Sequence, residues 1–142
     1  VTSTAGGDVW RAFLMRVLMG QAGQISSALP HIAQPETGFV TAFDPYIVGW
    51  AGSRRFLPDA ERRLGQSLPN HPVLFPIGNM FWTKAGVARG MLNLFGPDYP
   101  WPNEPLPNDG TVYHLIERLW PAATAAAKLE SVFLNRPGTR RA

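Results

Sequence analysis

The sequence predicts an α/β layered domain with a small mixed sheet and about four or five helices. Apolar residues recur at helical spacing in several segments, and segments rich in β-formers lie between them. Fourteen Gly and fourteen Pro predict many turns between short elements. With 142 residues, 45% of them hydrophobic, the chain can bury one core. We therefore treat residues 1–142 as a single domain with flexible tails at 1–7 and 135–142, and we expect the chain to be a fragment of a larger protein.

Composition excludes several functional classes. There is no Cys, which excludes disulfides, thiol catalysis and thiolate metal sites. The net charge of +3 is too dilute to predict nucleic-acid binding, although it suits a phosphate-bearing ligand or an anionic membrane surface. The three His residues are too scattered to predict a metal site. No apolar run approaches the roughly 18 residues that a transmembrane helix needs.

The first half of the chain predicts two helices, a strand and a further short helix. These are Val9–Met19, Gln24–Ala33, Thr37–Phe43 and a helix that begins at Pro58. Asp8 is expected to cap the first helix, because its carboxylate can accept from unpaired amides of the first turn. Pro30 is expected to bend or end the second helix.

A loop with two adjacent cations is predicted at 50–55. Arg54 and Arg55 could clamp a diphosphate through their guanidinium groups. The more ordinary interpretation is a pair of exposed arginines.

The second half of the chain predicts strands and helices in alternation. They are strands at Val73–Pro76 and Asn79–Thr83, helices at Lys84–Phe95 and from Thr111 to about Leu129, and a last strand at 131–134. Gly78 predicts a close backbone approach, a bulge or an unusual φ.

A proline-rich loop precedes the last helix. Residues 98–108 hold four prolines, which exclude helix and central strand. Tyr99 and Trp101 could stack on a sugar there. The alternative is a packed loop that fixes the angle of the last helix.

The last helix opens on a polar turn. Asp109 or Thr111 can cap it, and Thr111, His114 and Arg118 share one stripe of the helix. The segment thus brings a carboxylate, an imidazole and a guanidinium to one helix end. Pattern alone favours a capped helix with a solvated face over an active site.

Three stretches carry a resemblance when taken together. Gly7–Arg11 reads Gly-Asp-Val-Trp-Arg, Phe75–Trp82 reads Phe-Pro-Ile-Gly-Asn-Met-Phe-Trp, and Pro105–Leu119 contains Leu-Pro-Asn-Asp-Gly-Thr followed by His114, Glu117 and Arg118. In order and separation they resemble the rhamnan-synthesis F family of bacterial polysaccharide glycosyltransferases. The resemblance covers about residues 6 to 127.

The resemblance implies the later part of a GT-A-like fold that transfers L-rhamnose from a dTDP-sugar to a saccharide acceptor. Asp109 would be the base that takes the acceptor proton, and His114 or Arg118 would orient Asp109 or meet phosphate. The acceptor or sugar pocket would be lined by Gly78, Asn79 and Trp82, with Trp101 as a wall and Arg54 and Arg55 as weaker phosphate contacts. A divalent metal is compatible with such a fold, but no ligands for it can be identified in this sequence.

Family members also carry an upstream half that is not seen here, and no Asp-x-Asp motif is present. The alternative function is therefore a non-catalytic carbohydrate-binding or assembly module of a polysaccharide-synthesis protein, or a scaffold without a ligand. The resemblance places the protein in the cytoplasm or at the inner face of the membrane, where it would associate peripherally. The oligomeric state is left open.

Overall fold

The computed structural model describes residues 4–21, 28–44, 49–70 and 74–135. This part of the chain forms five α-helices, one 3-10 helix and a three-stranded mixed sheet, which confirms the predicted fold class. The elements are α1 (Thr4–Met19), α2 (Ala28–Ile32), β1 (Thr37–Ala42), the 3-10 helix (Ala51–Phe56), α3 (Leu57–Leu64), β2 (Phe81–Thr83), α4 (Ala85–Leu94), α5 (Val112–Ala126) and β3 (Glu130–Leu134). No helix within the described ranges has the length and apolar character needed to span a membrane.

Strand β1 is the centre of the sheet, whose order is β2-β1-β3. It pairs antiparallel with β2, with Phe39 opposite Thr83, and parallel with β3, with Thr41 opposite Phe133. Every residue of β1 is buried. A parallel neighbour requires a crossover connection, and the segment from α3 to α5 supplies it.

Helices α1 and α5 pack against alternate residues of β1. Ala42 packs with Leu14 and Val17 of α1. The ring of Phe39 stacks on Trp120 of α5, with centroids 6.4 Å apart. Because neighbouring strand residues of opposite parity point to opposite faces, the sheet is covered on both sides.

The main core lies between α3, α4 and α5. Its buried members include Trp50, Val87, Met91, Leu115 and Leu119, which come from these helices and from the 3-10 helix region. Leu115 and Leu119 are the fully buried face of α5 that the helical spacing predicted.

Several predicted boundaries were wrong at the start of the chain. Helix α1 begins at Thr4, so Asp8 lies inside it and pairs with Arg11 at 3.1 Å instead of capping. Helix α2 includes Pro30 near its start, where the missing amide proton breaks no helical hydrogen bond. The predicted beginning of that helix lies outside the described residues.

Two further segments differ from their predicted form. Residues 51–56 form a 3-10 helix instead of a loop, and it continues directly into α3. Residues 74–76 form no strand, while Val73 lies outside the described residues. Strand β2 begins only at Phe81, because Gly78 and Asn79 have positive φ values of 78° and 58°, which no strand accommodates.

Candidate active site

The N-terminus of α5 is fixed by a capping box. Thr111 is the N-cap, and its hydroxyl lies 2.7 Å from Nδ1 of His114. The same Nδ1 accepts a hydrogen bond from the Thr111 amide at 3.3 Å. His114 therefore serves as the N3 residue of the capping box. Within the described part of the chain, no hydrogen bond joins His114 to Asp109, so its predicted role in orienting Asp109 has no direct contact behind it.

The carboxylate of Asp109 bridges two distant parts of the chain. Oδ2 accepts from the Gly52 amide at 2.8 Å, and Oδ1 accepts from Nη2 of Arg118 at 3.2 Å. The side chain remains 35% exposed. Asp109 thus ties the 3-10 helix to α5, while Thr111 alone acts as the N-cap of α5.

This bridge depends on glycine at position 52. A Cβ there would lie 2.8 Å from Cα of Gly110 and 2.9 Å from Oδ2 of Asp109, closer than any side chain can pack. Gly110 itself has a φ of 80°, which favours glycine. The two backbones can approach this closely only because position 52 carries no side chain, whereas at position 110 the positive φ is what favours glycine.

Arg118 is buried, with 4% of its side chain exposed. Nε donates to the Gly49 carbonyl at 2.8 Å, and Nη1 donates to the His114 carbonyl at 2.7 Å. Together with the Asp109 contact, these bonds engage every nitrogen of the guanidinium. The hypothesis that Arg118 meets a phosphate is therefore disfavoured, and holding Asp109 is its better-supported role.

Two more groups surround the Arg118 guanidinium. Oε2 of Glu117 lies 3.9 Å from Nη1, and the ring of Phe75 lies under the guanidinium at 5.1 Å. A buried guanidinium with a carboxylate on one side and an aromatic face beneath it is well compensated. It forms a rigid support for the acid turn.

The environment of Asp109 lowers its pKa. Partial burial raises the pKa of the carboxyl, but hydrogen bonds from the amides of Gly52 and Gly110 and the positive charge of Arg118 outweigh it. Asp109 is therefore ionised at neutral pH. A lowered pKa makes it available as a proton acceptor and at the same time a weaker base.

The two predicted arginines of the 3-10 helix differ in their surroundings. Nη2 of Arg55 donates to the Gly110 carbonyl at 2.6 Å, and its guanidinium lies 4.8 Å from the Phe56 ring centroid. Arg54 is exposed. Arg55 is exposed too, but its hydrogen bond to the Gly110 carbonyl ties it to the acid turn, so both arginines present positive charge to solvent.

The turn at 77–80 brings the three resemblance-bearing stretches together. A Cβ on Gly78 would lie 2.2 Å from the Trp10 ring, so the indole packs directly on the glycine, as the predicted close approach requires. The Gly78 amide donates to Oε1 of Glu117 at 2.7 Å. Nε1 of Trp120 donates to Oδ1 of Asn79 at 3.2 Å.

A cavity of about 290 Å³ opens beside this turn. It is lined by α1 on one side and by the turn and β2 on the other: Met15, Leu18, Met19, Asn79, Met80, Phe81 and Trp82. Two predicted pocket residues, Asn79 and Trp82, therefore do line a cavity. Asp109 does not border it, nor does it border a second cavity of about 230 Å³ between α3, α4 and α5.

Trp101 packs inside the proline-rich loop. Its ring stacks on Tyr113 with centroids 5.3 Å apart and an interplanar angle of 16°, and Tyr99 lies 5.2 Å away. These contacts support the packed-loop interpretation, in which the loop sets the direction of α5. Tyr113 is 39% exposed and is the most exposed member of the aromatic group, since Tyr99 and Trp101 are half-buried.

The described residues contain no group of three or more His, Asp or Glu side chains that could hold a metal ion. Sequence reasoning proposed that Glu117 and Arg118 could form a structural network, but it did not find Gly52 or the contact of Glu117 with Gly78. Gly52 had no motif to mark it, and its contact with Asp109 spans 57 residues.

Comparisons with protein-family models, with curated proteins and with solved structures gave no match to this chain. The molecule is an α/β domain with a bridged acid turn and, at a separate place beside residues 77–80, a cavity of about 290 Å³.

Proposed function

We propose that this chain is the later part of a GT-A-like glycosyltransferase of bacterial cell-surface polysaccharide synthesis. It would transfer L-rhamnose from a dTDP-sugar to a saccharide acceptor, in the cytoplasm or at the inner face of the membrane. The proposal rests on the resemblance of three stretches to the rhamnan-synthesis F family. The observation that carries it furthest is that residues from all three stretches meet at one place.

That meeting involves direct contacts. Trp10 of the first stretch packs on Gly78 of the second. Glu117 of the third accepts the Gly78 amide, and Arg118 covers Phe75. Residues dispersed over the chain converge in this way when a common site or a common packing unit requires them, and the cavity beside the turn favours a site.

Asp109 is the proposed base. Transfer requires removal of the acceptor hydroxyl proton while the anomeric carbon is attacked. The carboxylate is ionised, partly exposed and held by the Gly52 amide and by Arg118. Its orientation is therefore set before a substrate arrives, which is what a proton acceptor at a reacting hydroxyl needs. Arg54 would contribute positive charge to the departing diphosphate.

The test is rhamnosyl transfer by the full-length protein, with dTDP-L-rhamnose as donor. Asp109→Asn should reduce the rate by at least about a hundredfold, the usual lower range for losing a general base. Asp98→Asn is the matched control, because Asp98 is an exposed acid in the loop that precedes the turn. Both variants are assayed at a temperature at which their unfolding curves show them folded. Equal transfer rates in the two variants would refute the role of Asp109 as the base.

A non-catalytic carbohydrate-binding or assembly module is the second candidate. It is favoured by the engagement of both Asp109 oxygens in holding the fold, and by the position of Asp109 outside the lining of the cavity. Titration with dTDP-L-rhamnose and with a rhamnose oligosaccharide separates the two. The enzyme binds both ligands, whereas the module binds only the oligosaccharide.

A further inference from the structure

The turn at 77–80 holds two consecutive residues in the left-handed region. Gly78 has a φ of 78° and Asn79 a φ of 58°. Glycine adopts this conformation freely, but a residue with a side chain is disfavoured there by about 1 kcal/mol, even though Asn tolerates it better than most. Such a conformation persists only where the surroundings hold it, and it occurs preferentially at binding sites.

Helix α5 holds the turn at both residues. Oε1 of Glu117 accepts the Gly78 amide at 2.7 Å, and Nε1 of Trp120 donates to the Asn79 side chain at 3.2 Å. Glu117 and Trp120 are three residues apart and therefore lie on one face of α5. Glu117 is 18% exposed, so its hydrogen bond to an amide is charge-assisted and only partly screened.

The turn at 77–80 also shapes one wall of the 290 Å³ cavity. Asn79, Met80 and Trp82 lie in this wall. The polar atoms of this wall are largely satisfied within the protein. The Met80 carbonyl accepts from the Thr41 hydroxyl at 2.9 Å, and Nε1 of Trp82 donates to the Leu18 carbonyl at 2.9 Å.

Among the residues that the structure describes, no Lys, Arg, Asp or Glu lines this cavity. Its surface consists of methionine, leucine and aromatic side chains with the Asn79 amide as the polar element. Such a surface suits an uncharged ligand that combines an apolar face with a few hydroxyls, and it does not suit a diphosphate.

We infer that Glu117 is a positioning residue, which holds the Asn79–Trp82 wall of a cavity that binds the uncharged saccharide acceptor. The identity of this ligand rests on the proposed function. Glu117 does not touch the ligand: it acts through Gly78, by fixing the left-handed turn that presents Asn79 to the cavity.

The experiment follows the indole N–H signal of Trp82 in the ¹⁵N-labelled chain, assigned with Trp82→Phe. The probe is octyl α-L-rhamnoside, an uncharged glycoside with an alkyl group. We expect the probe to shift the Trp82 signal of the wild type, and dTDP to leave it unchanged. Glu117→Ala should weaken probe binding about tenfold, since the lost hydrogen bond involves a charged acceptor.

Glu117→Gln is the conservative variant, because its amide oxygen can still accept from Gly78. It should bind the probe within about threefold of the wild type. Trp120→Phe keeps the ring contacts with Phe39 and Phe81 but removes the bond to Asn79, and it should weaken binding a few-fold. If Glu117→Ala does not fold in a thermal unfolding experiment, the Trp120→Phe result decides.

Wild-type affinity in both Glu117→Ala and Trp120→Phe would overturn the inference, and so would a Trp82 signal that does not respond to the probe in the wild type. Absence of transfer activity in the full-length protein is a separate result. It would refute the proposed function, while the order of affinities among the Glu117 variants would still support the positioning role.

Discussion

The acid turn and the cavity wall are held by adjacent residues of α5 but differ in what they offer a ligand. Arg118 binds the acid turn through Asp109, and Glu117 binds the wall through Gly78. The acid turn presents an ionised and partly exposed carboxylate but does not border either of the two cavities. The wall borders a cavity of about 290 Å³, and the described residues that line this cavity include no acid.

The candidate proton acceptor and the cavity that could hold a ligand therefore lie at two different places. Neighbouring residues on a helix project about 100° apart, so Glu117 and Arg118 can support different surfaces from one backbone position. The contact of 3.9 Å between the two side chains links the surfaces. A substrate that used both would have to extend from the cavity to the acid turn across this pair.

The largest expected effect comes from removing the support of the acid turn. Arg118→Met should lower the free energy of unfolding by about 3 kcal/mol, because Oδ1 of Asp109 and the carbonyls of Gly49 and His114 lose the hydrogen bonds that Arg118 donates. Urea unfolding at pH 7 measures it. Arg54→Met, at an exposed position, should change the same free energy by less than about 0.5 kcal/mol. Similar losses in the two variants would show that Arg118 does not support the turn.

The cavity wall can be disturbed by a single methyl group. Gly78→Ala should lower the free energy of unfolding by about 2 kcal/mol, since the new Cβ meets the Trp10 ring at a φ of 78°. Gly90→Ala is the control, because Gly90 lies inside α4 with open space around its Cα.

That control should raise stability by about 0.5–1 kcal/mol through the better helix propensity of Ala. A stable Gly78→Ala protein with an unchanged Trp10 indole signal would contradict the close contact.

A smaller effect distinguishes the charge of Asp109 from its shape. The folded pKa of Asp109 lies below its unfolded value, so ionisation stabilises the fold above the unfolded pKa, and this stability is lost as the pH falls through the folded pKa. Asp109→Asn should therefore cost about 1 kcal/mol at pH 7, a value reduced by the 35% exposure of the side chain.

The cost should shrink toward zero in acid. The comparison is made by urea unfolding of the two proteins at several pH values between neutrality and acid. Asp59, whose pKa is lowered first by its hydrogen bond to Arg63, is present in both proteins and cancels from the difference. A cost of Asp109→Asn that does not depend on pH would mean that the carboxylate acts by shape alone.

Local sequence signals predicted the parts of the site that local interactions build. The periodic apolar positions Leu115 and Leu119 identified α5, and Thr111 identified its beginning. Both signals are local, because a cap and an amphipathic face depend on residues that are close together in the sequence. Gly78 indicated a close approach, and the contact with Trp10 confirmed it.

The contacts that join the site were not predictable in this way. The bond between Gly52 and Asp109 and the bond between Gly78 and Glu117 connect residues 57 and 39 positions apart. No periodicity encodes such a pair, and the 3-10 helix that carries Gly52 follows from tertiary packing instead of a strong helix pattern. The α/β class thus followed from the sequence. That Glu117 holds Gly78 while Arg118 holds Asp109 could be seen only in the structure.

Asp109 is an ionised carboxylate that the Gly52 amide and Arg118 hold in place. A ¹³C NMR titration of the Asp109 side-chain carboxyl in the folded chain measures the effect of these contacts on its pKa. We expect a pKa below the ordinary value of 3.8, moving upward in Arg118→Met. A pKa at or above the ordinary value in the wild type would contradict the hydrogen bonds from Gly52 and Arg118 to the Asp109 carboxylate.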